Sequence, residues 1–112
     1  MRKIQEENLS ELRNALEKLQ KFVDYFSEEY RPYFYRMLDY MKDNIELYLK
    51  LGSKDLKKLE KILYRDWIAA NNSWYGLSTF QMRKEICNEN IEIYYIYGSL
   101  VQEIADYFET EV

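Results

Sequence analysis

Residues 9–26 read LSELRNALEKLQKFVDYF, and this stretch decides the fold. Leu9, Leu12, Leu16, Leu19, Val23 and Phe26 recur in alternating steps of three and four. That spacing returns apolar side chains to one side of a 3.6-residue turn, the seam of an α-helix packed on neighbours. Ala15 and Phe22 widen the seam, and Tyr25 falls opposite it. Asn8 followed by Glu11 has the form of a capping box, and Ile4 to Glu7 can carry the helix backwards. The first helix is therefore expected over about 5–26.

A helix with one apolar seam needs partners, and the chain supplies three more. Ser27 to Pro32 reads as a turn, with Pro32 at the first position of the next helix, where its missing N–H costs nothing. Phe34, Leu38, Met41, Ile45 and Tyr48 form a second stripe over about 32–51, and Gly52 suits its C-terminal cap. Ser53 is placed to cap a third helix over about 54–71, striped by Leu56, Leu59, Leu63, Trp67 and Ala70. Asn71-Asn72-Ser73 should stop it.

Ser78 with Gln81 offers another capping box, and a helical pattern then runs over about 79–109. Phe80, Cys87, Ile91, Tyr94, Val101, Ala105 and Phe108 are its expected inward positions. Asn88-Glu89-Asn90 interrupts this pattern, and Ile91 to Tyr97 is rich in β-formers. The segment is read as helix because no second strand exists to pair with it. Short connections set neighbouring helices antiparallel. The expected fold is all-α, an antiparallel up-down-up-down four-helix bundle with a long C-terminal helix, residues 1–112 forming one domain.

Composition agrees. Three glycines and one proline are too few for a turn-rich β protein, and 47% hydrophobic with 32% charged residues suits a folded globular chain. No apolar run is long enough to span a bilayer, and no helix pairs a basic face with a strongly apolar one, so no membrane role is expected. The N-terminus turns acidic at Glu6-Glu7 before any apolar region, unlike a signal peptide. The single cysteine, Cys87, supports neither an internal disulfide nor a Cys-based zinc site, and a cytoplasmic setting is expected. Sixteen basic against twenty acidic residues give a net charge of −4. Lys54, Lys57, Lys58 and Lys61 are interrupted by Asp55 and Glu60, so nucleic acid is not the expected partner.

Twelve tyrosines and no histidine set the functional balance. Lack of histidine removes the commonest general base and metal ligand, whereas tyrosine supplies rigid contact area with a polar tip. The E-E-x-x-E pattern of all-helical nucleotide pyrophosphatases is broken: Ser10 follows Glu6-Glu7, and Pro32 follows Glu28-Glu29. Only Glu103-x-x-Asp106 matches its second half. No catalytic residue, metal or cofactor is expected; a carboxylate-held Mg²⁺ hydrolase is the remote alternative.

Once the core positions are filled, three groups are left over. On the fourth helix Glu85, Glu89, Glu92, Glu103 and Asp106 lie on one outer strip, with Ile96 in its middle and Tyr95 and Ser99 beside it. An apolar anchor ringed by same-sign charge has the form of a protein contact, so Glu85, Glu89, Glu92, Tyr95, Ile96, Ser99 and Glu103 are the first candidate site. Tyr33, Tyr40 and Leu47 fall off the main stripe of the second helix, either against a second neighbour or as a partner face. Trp74 and Tyr75 sit in the one irregular aromatic segment, where Trp74 serves equally as a plug for the bundle end. Asp66, within the apolar arc of the third helix, should pair with Arg83 across the following connection.

The function expected from these features is non-catalytic protein–protein binding, with a basic partner. Small acidic bundles of this character are similar to immunity proteins of bacterial toxins and phage-encoded inhibitors of nucleases, an analogy of fold and charge only. The alternative is a self-associating helical subunit of a larger bacterial or phage assembly, with Tyr33, Tyr40 and Leu47 as a homodimer face.

Overall fold

In a computed structural model of the chain, which describes residues 3–27, 30–52, 55–82 and 91–108, the leucine seam of the first helix becomes the centre of the core. Four α-helices are present among the described residues: α1 (Leu9–Phe26), α2 (Tyr33–Leu51), α3 (Leu56–Ala70) and α4 (Ile91–Ala105). No strand occurs among these residues. Leu9, Leu12, Leu16, Leu19 and Val23 are fully buried. Each such side chain contributes roughly 1.5–3 kcal/mol when taken out of water. Phe34, Leu38, Met41, Ile45 and Tyr48 of α2, and Leu59, Leu63, Trp67 and Ala70 of α3, complete the core as their spacing requires.

Polar contacts fix how the helices run. Arg13 donates to Glu46, Gln20 to Asp39, and Tyr35 to Asp24, so rising numbers on α1 meet falling numbers on α2. The same order reversal links α1 to α4 through Tyr107 donating to Glu11, the Lys18–Glu103 pair and the Phe22–Tyr97 ring contact. Arg13 also reaches Glu17 at 2.8 Å; its guanidinium is raised chiefly by the Glu46 hydrogen bond, and Glu17 is lowered by Arg13. The ion pairs of Arg13 and Lys18 are partly solvent-exposed and set alignment more than stability.

Several ends differ from expectation. Before α1, Glu6–Asn8 form a 3₁₀ turn, and the α-helix begins only at Leu9. The Asn8 side chain turns back to accept from the Gln5 N–H at 2.9 Å and donate to the Lys3 carbonyl at 2.7 Å, so no Asn8–Glu11 box forms. Gly52 closes α2 with φ of 62°, as expected of a C-terminal glycine. Ser53 lies outside the described residues; Asp55 is the N-cap of α3, its carboxylate accepting from the Lys58 N–H. The Ser78–Gln81 capping box does not form. Leu77–Thr79 make a 3₁₀ turn, Phe80 is extended, and Thr79 donates its hydroxyl to the Gly76 carbonyl. A helix starting near 79 is thereby corrected, because these backbone groups are already spent on a local turn.

The α1–α2 end is clasped by a charged group. Arg31 Nε donates to Asp24 at 2.8 Å, Tyr35 Oη donates to the same carboxylate at 2.9 Å, and the guanidinium lies 4.4 Å from the Tyr35 ring centre. Burial first, then the Asp24 carboxylate, pushes the Tyr35 phenol up to about 12. The folded chain therefore holds this proton more tightly than the unfolded one. Its contribution to stability is full below about pH 10, the free-phenol value, and is lost as pH rises towards 12. Denaturation midpoints should fall across that window, and Tyr35→Phe should make the fall shallower. An equally steep fall in the variant would mean that the clasp does not hold this proton.

Candidate functional site

The position of every outward residue on α4 follows from what its inner side meets. Tyr97 fits between Phe22 of α1 and Phe80, with ring centres 5.6 and 5.2 Å away, and Phe80 stands edge-on to Phe34 of α2. The Tyr97 hydroxyl donates to the Leu77 carbonyl at 2.6 Å, and burial raises this phenol well above its usual range. Leu100, Val101 and Ile104 continue the inner side, Ile104 with no exposure. Beyond the helix, Phe108 stacks on Trp67 and meets the edge of Tyr64, whose hydroxyl donates to the Phe108 carbonyl.

This corrects the expected inner positions. Tyr94 and Ile91 are 53% and 68% exposed, whereas Phe80, Val101, Ala105 and Phe108 do pack on the core. The helix is turned by roughly 60°, the angle between positions three apart, from the setting that places Tyr94 inside. That setting would leave the Phe22–Phe80 slot without a ring and the Tyr97 hydroxyl without the Leu77 carbonyl. Cys87 lies outside the described residues.

Four residues of the expected outer strip face solvent after the rotation. Glu92, Tyr95, Ile96 and Ser99 are all exposed, Tyr95 at 73% and Ile96 at 51%. Glu103 is half-buried, 3.5 Å from Lys18 of α1, and Asp106 accepts from Gln102 at 2.8 Å. Glu85 and Glu89 lie outside the described residues. What the described strip offers is an exposed isoleucine and an exposed ring beside the Glu92 carboxylate.

The second group is brought together only in part. Tyr33 and Tyr75 meet with ring centres 6.0 Å apart, while Tyr40 and Leu47 are exposed farther along α2. Trp74 is 80% exposed, so it does not plug the bundle; Leu77 and Met82 are the buried apolar side chains that follow it. The reason lies in the loop backbone. Asn72 Oδ1 accepts from the N–H groups of Trp74 and Tyr75, Asn71 donates to the Trp67 carbonyl, and the Gly76 N–H donates to the Asn72 carbonyl. This closed turn holds Trp74 and Tyr75 outward.

Asp66 is buried, and Oδ1 accepts from Arg65 Nε at 3.2 Å. Oδ2 has no partner among the described residues, and the expected partner, Arg83, lies outside them. Two features were missed by the sequence reading: Tyr30, 83% exposed in the α1–α2 connection, and a basic face on α3. The latter was readable from helical projection, since Asp55 is a cap and Glu60 lies off the line of Lys57, Lys61 and Arg65. Among the described residues no helix is long and apolar enough to cross a membrane.

No protein-family model, curated protein or solved structure matches the chain.

Proposed function

We propose that the chain is a non-catalytic binding protein of the inhibitor or immunity type, acting in the cytoplasm on a basic enzyme such as a toxin or nuclease. In this reading the helices alternate up-down-up-down, and the bundle is a rigid support for the α4 strip. The observation that carries it is Ile96, half-exposed on the same face as Glu92, Ser99 and Glu103. A solvated acidic face has no need of an isoleucine, whereas a docked one uses it as an anchor and the carboxylates as guides. The net charge of −4 favours encounter with a basic surface.

Capture from a lysate of the source cells tests this, using the wild type and Glu92→Lys/Ile96→Lys as baits at low and high salt. The wild type should retain a basic protein at low salt, lose it at high salt, and suppress that protein's activity when added back. Equal retention by the variant, or capture indifferent to salt, would remove the assignment.

A further inference from the structure

The outer side of α3 carries cations that the linear sequence conceals. Lys57, Lys61, Arg65 and Ile68 stand at i, i+4, i+8 and i+11, one face of a helix, with Lys58 beside them, and all five are exposed. Arg65 is tied to Asp66, and Lys57 and Lys61 make no ion pair among the described residues. The α4 strip carries the opposite charge: Glu92, Ile96, Ser99 and Glu103 stand at i, i+4, i+7 and i+11, with Glu103 half-buried and paired to Lys18 of the same molecule. Each array spans roughly 16 Å of helix. Each also carries one exposed isoleucine, Ile68 at 68% and Ile96 at 51%, and Glu60 borders the α3 face beside Lys61.

The two arrays lie on different flanks. Glu103 is beside Lys18 of α1, whereas α3 meets the α4 end on another side, through Tyr64 and Trp67 against Phe108. A single molecule cannot satisfy one with the other. We infer that the outer face of α3 is a docking site for the α4 strip of a second copy of this chain, a head-to-tail contact between unlike surfaces. Charge complementarity selects this occupant: each face supplies what the other lacks, over the same length and with one apolar anchor apiece. The inference rests on the same α4 strip as the proposed partner contact, so a basic partner and a second copy would compete for it.

Sedimentation of the full chain at low and high salt, with two paired variants, is the test. Lys57→Glu/Lys61→Glu destroys the basic array and keeps the acidic one; Glu92→Lys/Ile96→Lys does the reverse. All four substitutions are at exposed positions, and circular dichroism checks that each variant is folded. The wild type should associate at low salt and dissociate at high salt. Each variant alone should associate on the order of tenfold more weakly or not at all. An equimolar mixture of the two should recover a 1:1 complex, since one array of each remains intact.

A wild type that stays monomeric at low salt, or a mixture that does not pair, would overturn the inference. So would association that persists in either variant and at high salt, as a face built on Tyr33, Tyr40 and Leu47 would give. Retention of duplex DNA by the wild type, lost in Lys57→Glu/Lys61→Glu and without self-association, would assign the α3 face to a polyanion instead. Lys57→Glu/Lys61→Glu should still capture the basic partner, which separates failure here from failure of the binding reading.

Discussion

Replacing Phe34 by alanine should cost about 3–5 kcal/mol of folding stability. Phe34 has no exposure, and its ring stands 5.7 Å from Phe80 at 86°. Phe80 passes the contact to Tyr97, and Tyr97 to Phe22 and then Phe26, so one ring series joins α2, the 77–80 segment, α4 and α1. Removal leaves a cavity bordered by groups that are themselves held in place, which limits collapse. A domain of this size has only about 5–15 kcal/mol in total, so the loss is a large share. Because Tyr97 orients α4, the variant should also weaken any contact made through Ile96. Urea denaturation measures the first effect; a loss below about 1.5 kcal/mol, the range of well-tolerated core swaps, would mean that the ring series is not formed.

Gly76→Ala is the second large effect. A Cβ at this position would lie 2.2 Å from the Asn72 carbonyl oxygen, 2.5 Å from the Asn72 nitrogen and 2.7 Å from the Ala70 carbonyl oxygen. All three are backbone atoms at the end of α3 and in its turn, so no side chain can swing aside. The Gly76–Asn72 hydrogen bond must open for the methyl to fit. The expected loss is about 3 kcal/mol, the upper part of the range for overpacked sites. Trp74 and Tyr75 should lose their fixed display at the same time, seen as a change in tryptophan fluorescence anisotropy. A variant as stable as the wild type would show that the turn does not close in this way.

Three helices were legible because each has one dominant apolar stripe, although α2 also exposes Tyr33, Tyr40 and Leu47 outside it. Leu9 to Val23, Phe34 to Tyr48 and Leu59 to Ala70 admit a single buried face. The fourth does not. Ile91, Ile93, Tyr94, Tyr97, Leu100, Val101 and Ile104 support two overlapping stripes, and periodicity cannot choose between them. The choice is tertiary, made by the Phe22–Phe80 slot and the Leu77 carbonyl that receive Tyr97. Helix starts were misread for a related reason. Asn8 and Ser78 have acceptable capping residues after them, but nearby backbone groups compete for the same hydrogen bonds. The strip at Glu92, Ile96, Ser99 and Glu103 was legible despite the rotation, since it lies outside both stripes. The lysines are interrupted by Asp55 and Glu60 along the chain, and the α3 cations come together only around the helix.

Every functional statement depends on which side α4 turns to water, and thiol labelling measures that side directly. In a Cys87→Ser background, Ile96→Cys should react at close to the rate of a free thiol. Ile104→Cys, fully buried in the wild type, should react on the order of 100-fold more slowly, the factor set by about 2.7 kcal/mol of local opening. Equal rates at the two positions, or a protected Ile96→Cys, would contradict the account.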